Sequence, residues 1–415
     1  MDYKVKDMKL AKQGSLQLEW AAMHMPALGD VKKEFERSKP FKGLKISALL
    51  HVTKETGILM LSLKAGGASV SLGAGNPLST QDDIAAALAD NGIKVFAWSG
   101  QSVKEYNENV HRVLDFDPDI IIDDGADLHA AAHAKGVKID VIGGTEETTS
   151  GIHRIKAMEA QGVLKYPIIA VNNANTKYLF DNRYGTGQST LDGIIRGTNI
   201  FLPGKMVVVG GYGWVGRGVA MRFRGMGARV IVTEVDPMRA LEACMDGFDV
   251  MQMDDAAKVG DIFVTATGDT DIIVGKHFNS MKDGAILSNT GHFDVEVDVK
   301  ALEGMAVGKR RIRNNLDEYT LKDGRRLYLI AEGRLVNLGA AEGHPSEVMD
   351  LSFCNQALSA KYVVDRHGQL GNKVYKIPDD IDNMIASIKL KSMGVKIDTL
   401  TDKQKKYLDS WDLDV

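Results

Sequence analysis

Cysteine is scarce in this sequence, whose 415 residues include only Cys244 and Cys354. Two cysteines are too few for a disulfide framework, and their separation lacks the close pairing of a zinc site. We therefore expect two reduced thiols, both buried in the protein interior.

Long apolar segments are also missing. No run approaches the roughly 18 apolar residues that a membrane span requires, and the opening MDYKVKDMKLAKQG lacks the apolar core of a signal peptide. Charge of one sign is not in excess either, because 51 basic and 55 acidic residues leave a net charge of -4. The sequence therefore predicts a cytoplasmic protein with neither a membrane nor a nucleic acid as its partner.

What the sequence does contain is an alternation of short apolar runs with helical stretches, which is typical of parallel β-sheets. With 44% hydrophobic residues, a chain of this length can build two or three domain cores. The first series of predicted strands comprises 44–50, 68–72, 93–98, 119–123, 138–142 and 168–172. The second series comprises 206–210, 229–233, 261–267, 285–290 and 335–338.

We predict an α/β fold with two doubly wound parallel-sheet, Rossmann-like domains joined by a hinge, plus a small C-terminal helical appendage. The polar, Gly-rich segment 181–190 suits the hinge, although it equally suits a plain surface loop. The helical pattern from about 347 to 364 is expected to return to the first domain. The predicted divisions are 1–181 and 182–343 for the two domains, 344–385 for the return and 386–415 for the appendage.

The stretch MVVVGGYGWVGRG carries the strongest local signal. Gly211, Gly213 and Gly216 fit the pattern GxGxxG between a predicted strand and a predicted helix. Glu234 ends the next strand, where a carboxylate accepts from both ribose hydroxyls and repels a 2′-phosphate. The second domain is therefore predicted to bind NAD rather than NADP. Arg239, just beyond, is either a contact for a 2′-phosphate or a surface arginine.

Polar side chains gather at the ends of several predicted strands, where open α/β sheets bind ligands. Four separate clusters converge on this edge, and their carboxylates, lysine and histidine suit a polyhydroxylated substrate and proton transfer near neutral pH. The members are His51, Thr53 and Glu55; Asp123 and Asp124; Glu146, Glu147, Thr148 and Thr149; and Asn172, Lys177 and Asp181.

Each cluster also has a purely structural interpretation. Lys177 and Asp181 could form a surface ion pair, and Asp124 could cap a helix. Thr148 and Thr149 could likewise be helix caps. Convergence of all four clusters favours the functional interpretation.

Two further histidines, His292 and His344, follow apolar strands and lie next to glycines. A histidine in such a position is often only a turn residue. The spacings of histidine and aspartate match no zinc template, so we predict no metal.

Ten blocks of the chain resemble S-adenosyl-L-homocysteine hydrolase in the order of that family. They are HVTKET, NPLSTQDD, DDGADL, EETTSG, TKYLFDN, GGYGWVGRG, TEVDP, TGHFDVEVD, AEGRLVNL and GHPSEVM. The resemblance implies that NAD oxidises the 3′-hydroxyl of the substrate, which makes the C4′ proton acidic. Homocysteine then leaves from C5′, water adds, and the NADH reduces the ketone without net redox change.

The resemblance assigns roles to residues that match its motifs. Lys177 and Asp181 are expected to move the 3′-hydroxyl proton, and Asp124 to act as the base near C4′. His51 is expected near C5′, and His292 beside the 3′-oxygen. The expected substrate-binding residues are Thr53, Glu55, Glu147, His344 and Phe353. The expected cofactor-binding residues, beyond the three glycines and Glu234, are Thr148, Thr149, Asn182, Arg239, Thr267 and Asn337.

The chain also departs from the family pattern. Thr186 stands where many members have cysteine, Arg239 where a ribose-contacting asparagine is common, and Glu342 where methionine is usual. Glu342 leaves S-inosyl-L-homocysteine as an alternative substrate. A Lys and Tyr tail of many relatives is missing, so NAD retention is expected to be weaker or to rest on other residues, namely Lys403, Lys405, Lys406 and Tyr407.

Two alternatives of other classes remain at this point. One is a conventional NAD-dependent dehydrogenase, which the glycine pattern alone would favour. The other is an inactive relative that binds a nucleotide and regulates a partner, against which the intact set of expected catalytic residues argues. The resemblance further implies a homotetramer.

Overall fold

The computed structural model describes residues 3–411, and its first half is built on a seven-stranded sheet. All neighbouring strands are parallel, in the order β15-β6-β5-β4-β1-β2-β3. Alternate residues of β1 and β4 enter two separate apolar clusters, so helices cover both faces. The strands are β1 (Lys45–Leu50), β2 (Ser69–Ala74), β3 (Lys94–Phe96), β4 (Ile120–Asp123), β5 (Gly143–Glu146), β6 (Ile168–Ala170) and β15 (Val374–Lys376).

The second sheet has eight strands in the order β12-β13-β14-β11-β10-β7-β8-β9. The six strands from β14 to β9 are parallel and follow the Rossmann order, whereas β12 and β13 add an antiparallel hairpin at one edge. The strands are β7 (Met206–Gly210), β8 (Arg229–Thr233), β9 (Asp249–Val250), β10 (Ile262–Thr265), β11 (Ile286–Asn289), β12 (Ala306–Arg313), β13 (Leu316–Leu321) and β14 (Arg326–Ile330).

Helices connect and flank these strands. Those before β7 are α1 (Ala11–Met23), α2 (Pro26–Ser38), α3 (Lys54–Ala65), α4 (Asp82–Asp90), α5 (Val103–Leu114), α6 (Asp127–His133), α7 (Thr149–Ala160), α8 (Asn175–Tyr178) and α9 (Thr186–Thr198). Those after it are α10 (Trp214–Gly225), α11 (Pro237–Met245), α12 (Met253–Val259), α13 (Gly275–Phe278), α14 (Val299–Met305), α15 (Val336–Gly339), α16 (Ser346–Asp365), α17 (Asp379–Ser392) and α18 (Asp402–Leu408). Short 3₁₀ turns cover Met8–Leu10, Val171–Asn173 and Ala331–Gly333, and a π-helical turn covers Asp181–Gly185.

Two strand predictions are wrong. The segment 138–142 is irregular, and the strand instead follows as β5, whose sequence GGTE has no apolar run. Small residues are needed there because a Cβ at Gly143 would lie 2.5 Å from Val363, and one at Gly144 would lie 2.5 Å from His129. The segment 335–338 forms one bridge and then α15, so that β14 completes the parallel part of the sheet.

The Gly-rich segment 181–190 is helical rather than an open loop. It forms the π-helical turn and the first part of α9. Gly187 allows close helix packing, because a Cβ there would lie 2.6 Å from the backbone of Gly218, and a Cβ at Gly185 would lie 2.8 Å from Val348. A composition typical of loops here reflects close contact between α9 and α10.

The chain returns to the first sheet after the second one. Helix α16 packs against α2, α3 and β5, and Cys354 on this helix is fully buried. The expectation that both thiols are buried is wrong for Cys244, which is exposed on α11. Both cysteines are free, as predicted. Within residues 3–411, no helix combines the length and apolarity needed to cross a membrane.

Candidate functional site

One cavity of about 1080 Å³ lies between the carboxyl edges of the two sheets. Both sheets reverse their strand order at this edge, between β1 and β4 and between β7 and β10, which is where doubly wound folds bind ligands. The volume reaches the upper end of the range of ligand pockets, so it can hold two molecules side by side. Every catalytic, substrate-binding and cofactor-binding residue assigned by the resemblance lines this cavity except Gly216. Of the other residues singled out in the sequence, Asn172 lines it, whereas Asp123, Glu146, Lys403, Lys405, Lys406 and Tyr407 do not.

The turn from β7 into α10 forms the floor of one half of the cavity. Gly211 has a φ of 96°, a left-handed conformation that favours glycine. A Cβ at Gly216 would lie 2.0 Å from the Gly211 carbonyl oxygen, so this glycine allows the helix to pack on the turn. A Cβ at Gly213 would meet only Arg239 Nη1, at 3.9 Å, and would otherwise project into the cavity. Gly213 therefore leaves room for a ligand rather than for protein.

Glu234 follows β8 at the rim of the same half. Its Oε2 accepts from the backbone N–H of Tyr212 at 2.7 Å, and its Oε1 accepts from that of Val235 at 2.8 Å. These bonds hold the carboxylate at the position where a dinucleotide ribose lies in this fold. Arg239 lines the cavity beside it, with its own side chain about half exposed.

The far wall of this half is polar. Thr267 donates its N–H and its hydroxyl to Glu296 Oε2, at 2.9 and 2.7 Å. Asn337 donates to Ser189 at 3.3 Å, while its buried Oδ1 lacks a hydrogen-bond partner among the described residues. A glycine cradle open to the cavity, a carboxylate at the ribose position and an unsatisfied amide oxygen fit NAD as the occupant.

Lys177 lies at the centre of the other half. Its Nζ is 2.9 Å from Asn182 Oδ1, 3.1 Å from Asp181 Oδ1, 3.2 Å from Asn172 Oδ1 and 3.5 Å from Glu147 Oε1. The side chains of Lys177 and Asp181 are 5% and 8% exposed, which rules out a surface ion pair. Lys177 and Asp181 contact each other as their four-residue spacing predicts, although α8 ends at Tyr178 and Asp181 begins the π-helical turn.

The environment of this lysine separates the pKa values of its neighbours. Burial lowers the pKa of Lys177, but the carboxylates of Asp181 and Glu147 raise it by more. Burial would raise the pKa of Asp181, yet Lys177 and His344 hold it well below its usual range. Burial raises the pKa of Glu147 to about 8 despite the opposing effect of Lys177. An ammonium therefore lies between one ionised carboxylate and one carboxyl group that is easily protonated.

Asp124 follows β4 and faces two histidines. Its Oδ2 lies 3.4 Å from His51 Nε2, and its Oδ1 lies 3.8 Å from His292 Nδ1. Burial lowers the pKa of His51 to about 4, so its imidazole is neutral near pH 7. Asp124 does not cap α6, which begins at Asp127.

His292 reaches His51 and Asp124 from the other side of the cavity. His292 comes from the loop after β11 and packs on Gly125, where a Cβ would lie 2.4 Å from His292 Nε2. Gly125 has a φ of 102°, so both its backbone and its missing side chain favour glycine. The ligand atoms of His51, Asp124 and His292 lie within 4.8 Å of one another, a grouping that their sequence spacing did not suggest.

The remaining predicted substrate residues line the same half but occupy two places. Thr53 caps α3, and Glu55 on its first turn accepts from Ser346 Oγ at 2.6 Å. His344 lies instead beside Asp181, at 3.4 Å from its Oδ1, and contacts Ser189 at 3.0 Å. Phe353 forms an apolar wall. Thr148 and Thr149 line the cavity at the start of α7, and neither makes a side-chain cap.

Several supporting residues were not found from the sequence. Ser79 contacts His51 Nδ1 at 2.7 Å, Ser352 donates to Asp181 at 2.7 Å, and Gln356 donates to Glu147. The last two lie four residues apart on one face of the predicted helix, but Asp350, Asn355 and Ser359 on the same helix are polar as well, so the pattern does not single them out. Ser79 lies in NPLSTQDD, where no periodicity marks it.

Comparison with known proteins matches both halves of the chain to one family. The model of S-adenosyl-L-homocysteine hydrolase matches residues 2–142, and that of its NAD binding domain matches residues 182–343. Three adenosylhomocysteinases align over nearly the full length. That of Saccharolobus solfataricus is 63% identical over 99% of both chains, that of Sulfurisphaera tokodaii 62% over 99% of both, and that of Aquifex aeolicus 59% over the whole of both.

Identity of this level over the full length confirms the resemblance seen in the sequence motifs. It also favours a hydrolase over a conventional dehydrogenase, and it confirms NAD as the cofactor. The chain belongs to the S-adenosyl-L-homocysteine hydrolase family, whose members are NAD-dependent hydrolases.

Proposed function

We propose that this protein hydrolyses S-adenosyl-L-homocysteine reversibly to adenosine and L-homocysteine, through transient oxidation of the 3′-hydroxyl. The observation that carries the proposal is the position of Lys177. Its ammonium, with Glu147 and Asp181, lies in the carboxylate-rich half of the cavity that also contains the glycine-lined half. A ribose placed there has its hydroxyls beside groups that bind and deprotonate them.

The residues of the site divide the proton transfers between them. When bound, NAD supplies a hydride acceptor that is restored within the same turnover. Glu147 binds the ribose hydroxyls. Lys177, oriented by Asp181, takes the 3′-hydroxyl proton in its neutral amine form, after its ammonium has released a proton. The resulting ketone acidifies C4′–H, and Asp124 removes that proton.

Elimination and addition at C5′ fall to the group around Asp124. The thiolate of homocysteine leaves from C5′, and His51 with Asp124 passes a proton to it and then takes one from the incoming water. His292, from the opposite side, contacts the 3′-oxygen. Since His51 is neutral near pH 7, it can accept a proton in one step and return it in the next.

The purine is proposed to lie against Phe353, with Thr53 and Glu55 at its polar edge. A Glu55 carboxylate accepts from the exocyclic amino group of adenine, whereas hypoxanthine presents a carbonyl oxygen there. His344 is proposed to act near Asp181 as well as near the purine, because of its contact with that carboxylate.

The preference between S-adenosyl-L-homocysteine and the alternative substrate S-inosyl-L-homocysteine depends on the groups around Glu55. Glu342 does not line the cavity; it pairs with Lys54 at 3.3 Å and with Arg196 at 3.0 Å. Lys54 lies 3.3 Å from Glu55, so Glu342 acts on the purine edge only through this lysine. Comparison of kcat/KM for the two substrates, in the wild type and in Glu342→Met, decides the preference.

The test of the reaction is to incubate the purified protein with S-adenosyl-L-homocysteine and to follow free thiol together with NADH. We expect stoichiometric thiol and adenosine, with NADH only transient and bound. NADH accumulating in solution without thiol would show a conventional dehydrogenase instead.

The proposal also covers the domain boundaries, the assembly and the compartment. The proposed boundaries are a substrate domain over 1–181, an NAD-binding domain over 182–343, a return of the chain to the substrate domain over 344–385 and a C-terminal appendage over 386–415. Helix α17 continues across the boundary at residue 385. The assembly is a homotetramer, which sedimentation at micromolar concentration tests. The compartment is the cytoplasm.

A further inference from the structure

Helix α16 presents one row of side chains to the substrate half of the cavity. Met349, Ser352, Phe353 and Gln356 follow one another at helical spacings of three and four residues. Met349 and Phe353 line the cavity. Ser352 and Gln356 are fully buried beneath it and contact the two carboxylates on either side of Lys177.

Ser352 fixes one of these carboxylates. Its hydroxyl donates to Asp181 Oδ2 at 2.7 Å, while Asp181 Oδ1 faces Lys177 Nζ at 3.1 Å. Each oxygen of Asp181 thus has its own donor, and the plane of the carboxylate cannot rotate without breaking a charge-assisted hydrogen bond.

Gln356 fixes the other carboxylate. Its Nε2 donates to Glu147 Oε2 at 2.5 Å, and its Oε1 accepts from the Thr145 hydroxyl at 2.5 Å. The second oxygen, Glu147 Oε1, lies 3.5 Å from Lys177 Nζ and is buried without a hydrogen bond to the described residues. Buried polar atoms are normally paired, so this oxygen is turned toward a ligand donor.

We propose that Ser352 and Gln356 are positioning residues, which hold Asp181 and Glu147 on the two sides of the Lys177 ammonium. The inference rests on the proposed function, because it assigns Lys177 to the 3′-hydroxyl. Ser352 acts on the proton transfer through Asp181. Gln356 acts on ribose binding through Glu147, since it occupies one oxygen and leaves the other for a hydroxyl.

Loss of the Ser352 hydroxyl has a predictable electrostatic effect. Asp181 would then be stabilised by one donor fewer and would attract the Lys177 proton more strongly. The pKa of Lys177 is already raised by Asp181, Glu147 and Asp124 against the effect of burial, and it would rise further. The pH at which the oxidation step reaches half of its maximum rate should therefore move upward.

The chain supplies a matched control on the same helix. Ser359 is fully buried like Ser352, but its hydroxyl has no hydrogen-bond partner among the described residues. We would compare the Ser352→Ala and Ser359→Ala holoenzymes by thiol release. Formation of bound NADH after mixing with adenosine would be followed by absorbance.

For Ser352→Ala we expect kcat to fall by about tenfold or more with KM changed less than about threefold, and the pH midpoint to rise. Ser352→Thr, which keeps the hydroxyl, should recover most of the rate. Ser359→Ala should stay within about twofold of the wild type. If Ser352→Ala does not fold, Ser352→Cys replaces it.

For Gln356→Leu we expect mainly a rise in KM of about tenfold for the ribose substrate. The 2′-deoxy analogue lacks a hydroxyl for Glu147, so its KM should rise much less. An equal rise for both substrates would overturn the assignment of Gln356.

The assignment of Ser352 is overturned if Ser352→Ala matches Ser359→Ala in rate and pH profile. It is also overturned if Ser352→Ala slows an Asp181→Asn enzyme as much as it slows the wild type, because Ser352 would then act elsewhere. Failure of the proposed function is recognised separately, by full turnover in Lys177→Ala, and it would overturn both.

Discussion

At the scale of single residues, burial and neighbouring charges, rather than residue type, decide which acidic side chains of the site are ionised. Glu147, Asp181 and Asp124 are all carboxylic acids near one lysine. Burial raises the pKa of Glu147 to about 8, whereas Lys177 and His344 more than offset burial at Asp181 and lower its pKa. The same side-chain chemistry therefore supplies an anion in one place and a proton-bearing group in another.

Replacement of Lys177 is the most direct residue-scale prediction. Lys177→Ala should lower kcat by at least about a hundredfold, because it removes the proposed acceptor of the 3′-hydroxyl proton. NAD content should be little changed, since the glycine cradle is untouched. Thiol release and bound nicotinamide, measured in the same preparation, check both parts. Lys361→Ala, at an exposed ion pair with Asp365, is the control.

A second residue-scale prediction concerns stability against pH. Burial raises the pKa of Asp123 to about 8, with smaller contributions from Asp127 and Asp124. The folded state thus holds a proton that the unfolded chain releases near pH 4. This contribution to stability is complete below that pH and is lost as the pH rises toward 8.

Asp123→Asn removes this titration. The free energy of unfolding should therefore fall less between pH 5 and pH 8 in the variant than in the wild type, by roughly 1 to 3 kcal/mol. Denaturant midpoints at both pH values give the difference, with the exposed Asp140→Asn as control. A parallel fall in all three proteins would contradict the prediction.

At the scale of elements, apolar runs were a sufficient signal only where a strand is buried by large side chains. Strands β7 and β8 have the predicted bounds 206–210 and 229–233. Strand β5 was missed because α6 and α16 approach it so closely that glycines are required. The exposed strand β12 was missed because its sequence AVGKRRIR is largely basic and lacks an apolar run. In the structure each of its three arginines donates a hydrogen bond to a carboxylate or a carbonyl oxygen, and no sequence pattern shows these contacts.

The candidate site was predicted more completely than the fold for two reasons. Strand ends, not exact strands, determine part of it, and the family resemblance supplied residues such as Asn182 and Phe353 that no strand end marks. His51, Asp124 and Gly211 follow the strands on either side of the two switch points, so errors in strand length moved none of them. The supporting residues came from tertiary contacts. Ser352 and Asp181 are 171 residues apart, and no local pattern predicts such a pair.

Helix α8 depends on tertiary contacts for its stability. It has only four residues and cannot persist alone, yet it carries Lys177. Asp382 on α17 accepts from the N–H of Asn175 at 2.7 Å and from that of Thr176 at 2.9 Å. Asp382 is 3% exposed, so α17 is an integral support of the site.

Asp382→Ala should lower the free energy of unfolding by roughly 1 to 3 kcal/mol and should also reduce turnover, because α8 loses its N-terminal cap. Asp380→Ala, at an exposed position on the same first turn, should do neither. Thermal midpoints and thiol release are the measurements. Full activity of Asp382→Ala would show that α8 is held by its other contacts, such as Asn355 on Thr176.

At the scale of the whole molecule, the two halves share one plan. Each has a central sheet that reverses its strand order once, and the two reversals open into one cavity. Residues from both halves meet across it, as in the packing of His292 on Gly125. A ligand bound there contacts both halves, so cofactor binding and the stability of the whole chain should be linked.

Removal of the cofactor tests this linkage. Protein stripped of NAD should unfold at a lower temperature, and added NAD should restore the midpoint in a concentration-dependent way. At about a hundred times the Kd of NAD, the free energy of unfolding rises by about 2.7 kcal/mol.

NADP should raise the unfolding midpoint much less than NAD, because Glu234 lies where its carboxylate repels a 2′-phosphate. In Glu234→Gln the difference between the two cofactors should narrow, since the amide carries no charge. Equal shifts by NAD and NADP in the wild type would show that Arg239 compensates the added phosphate, and the preference inferred from the acidic residue would be wrong.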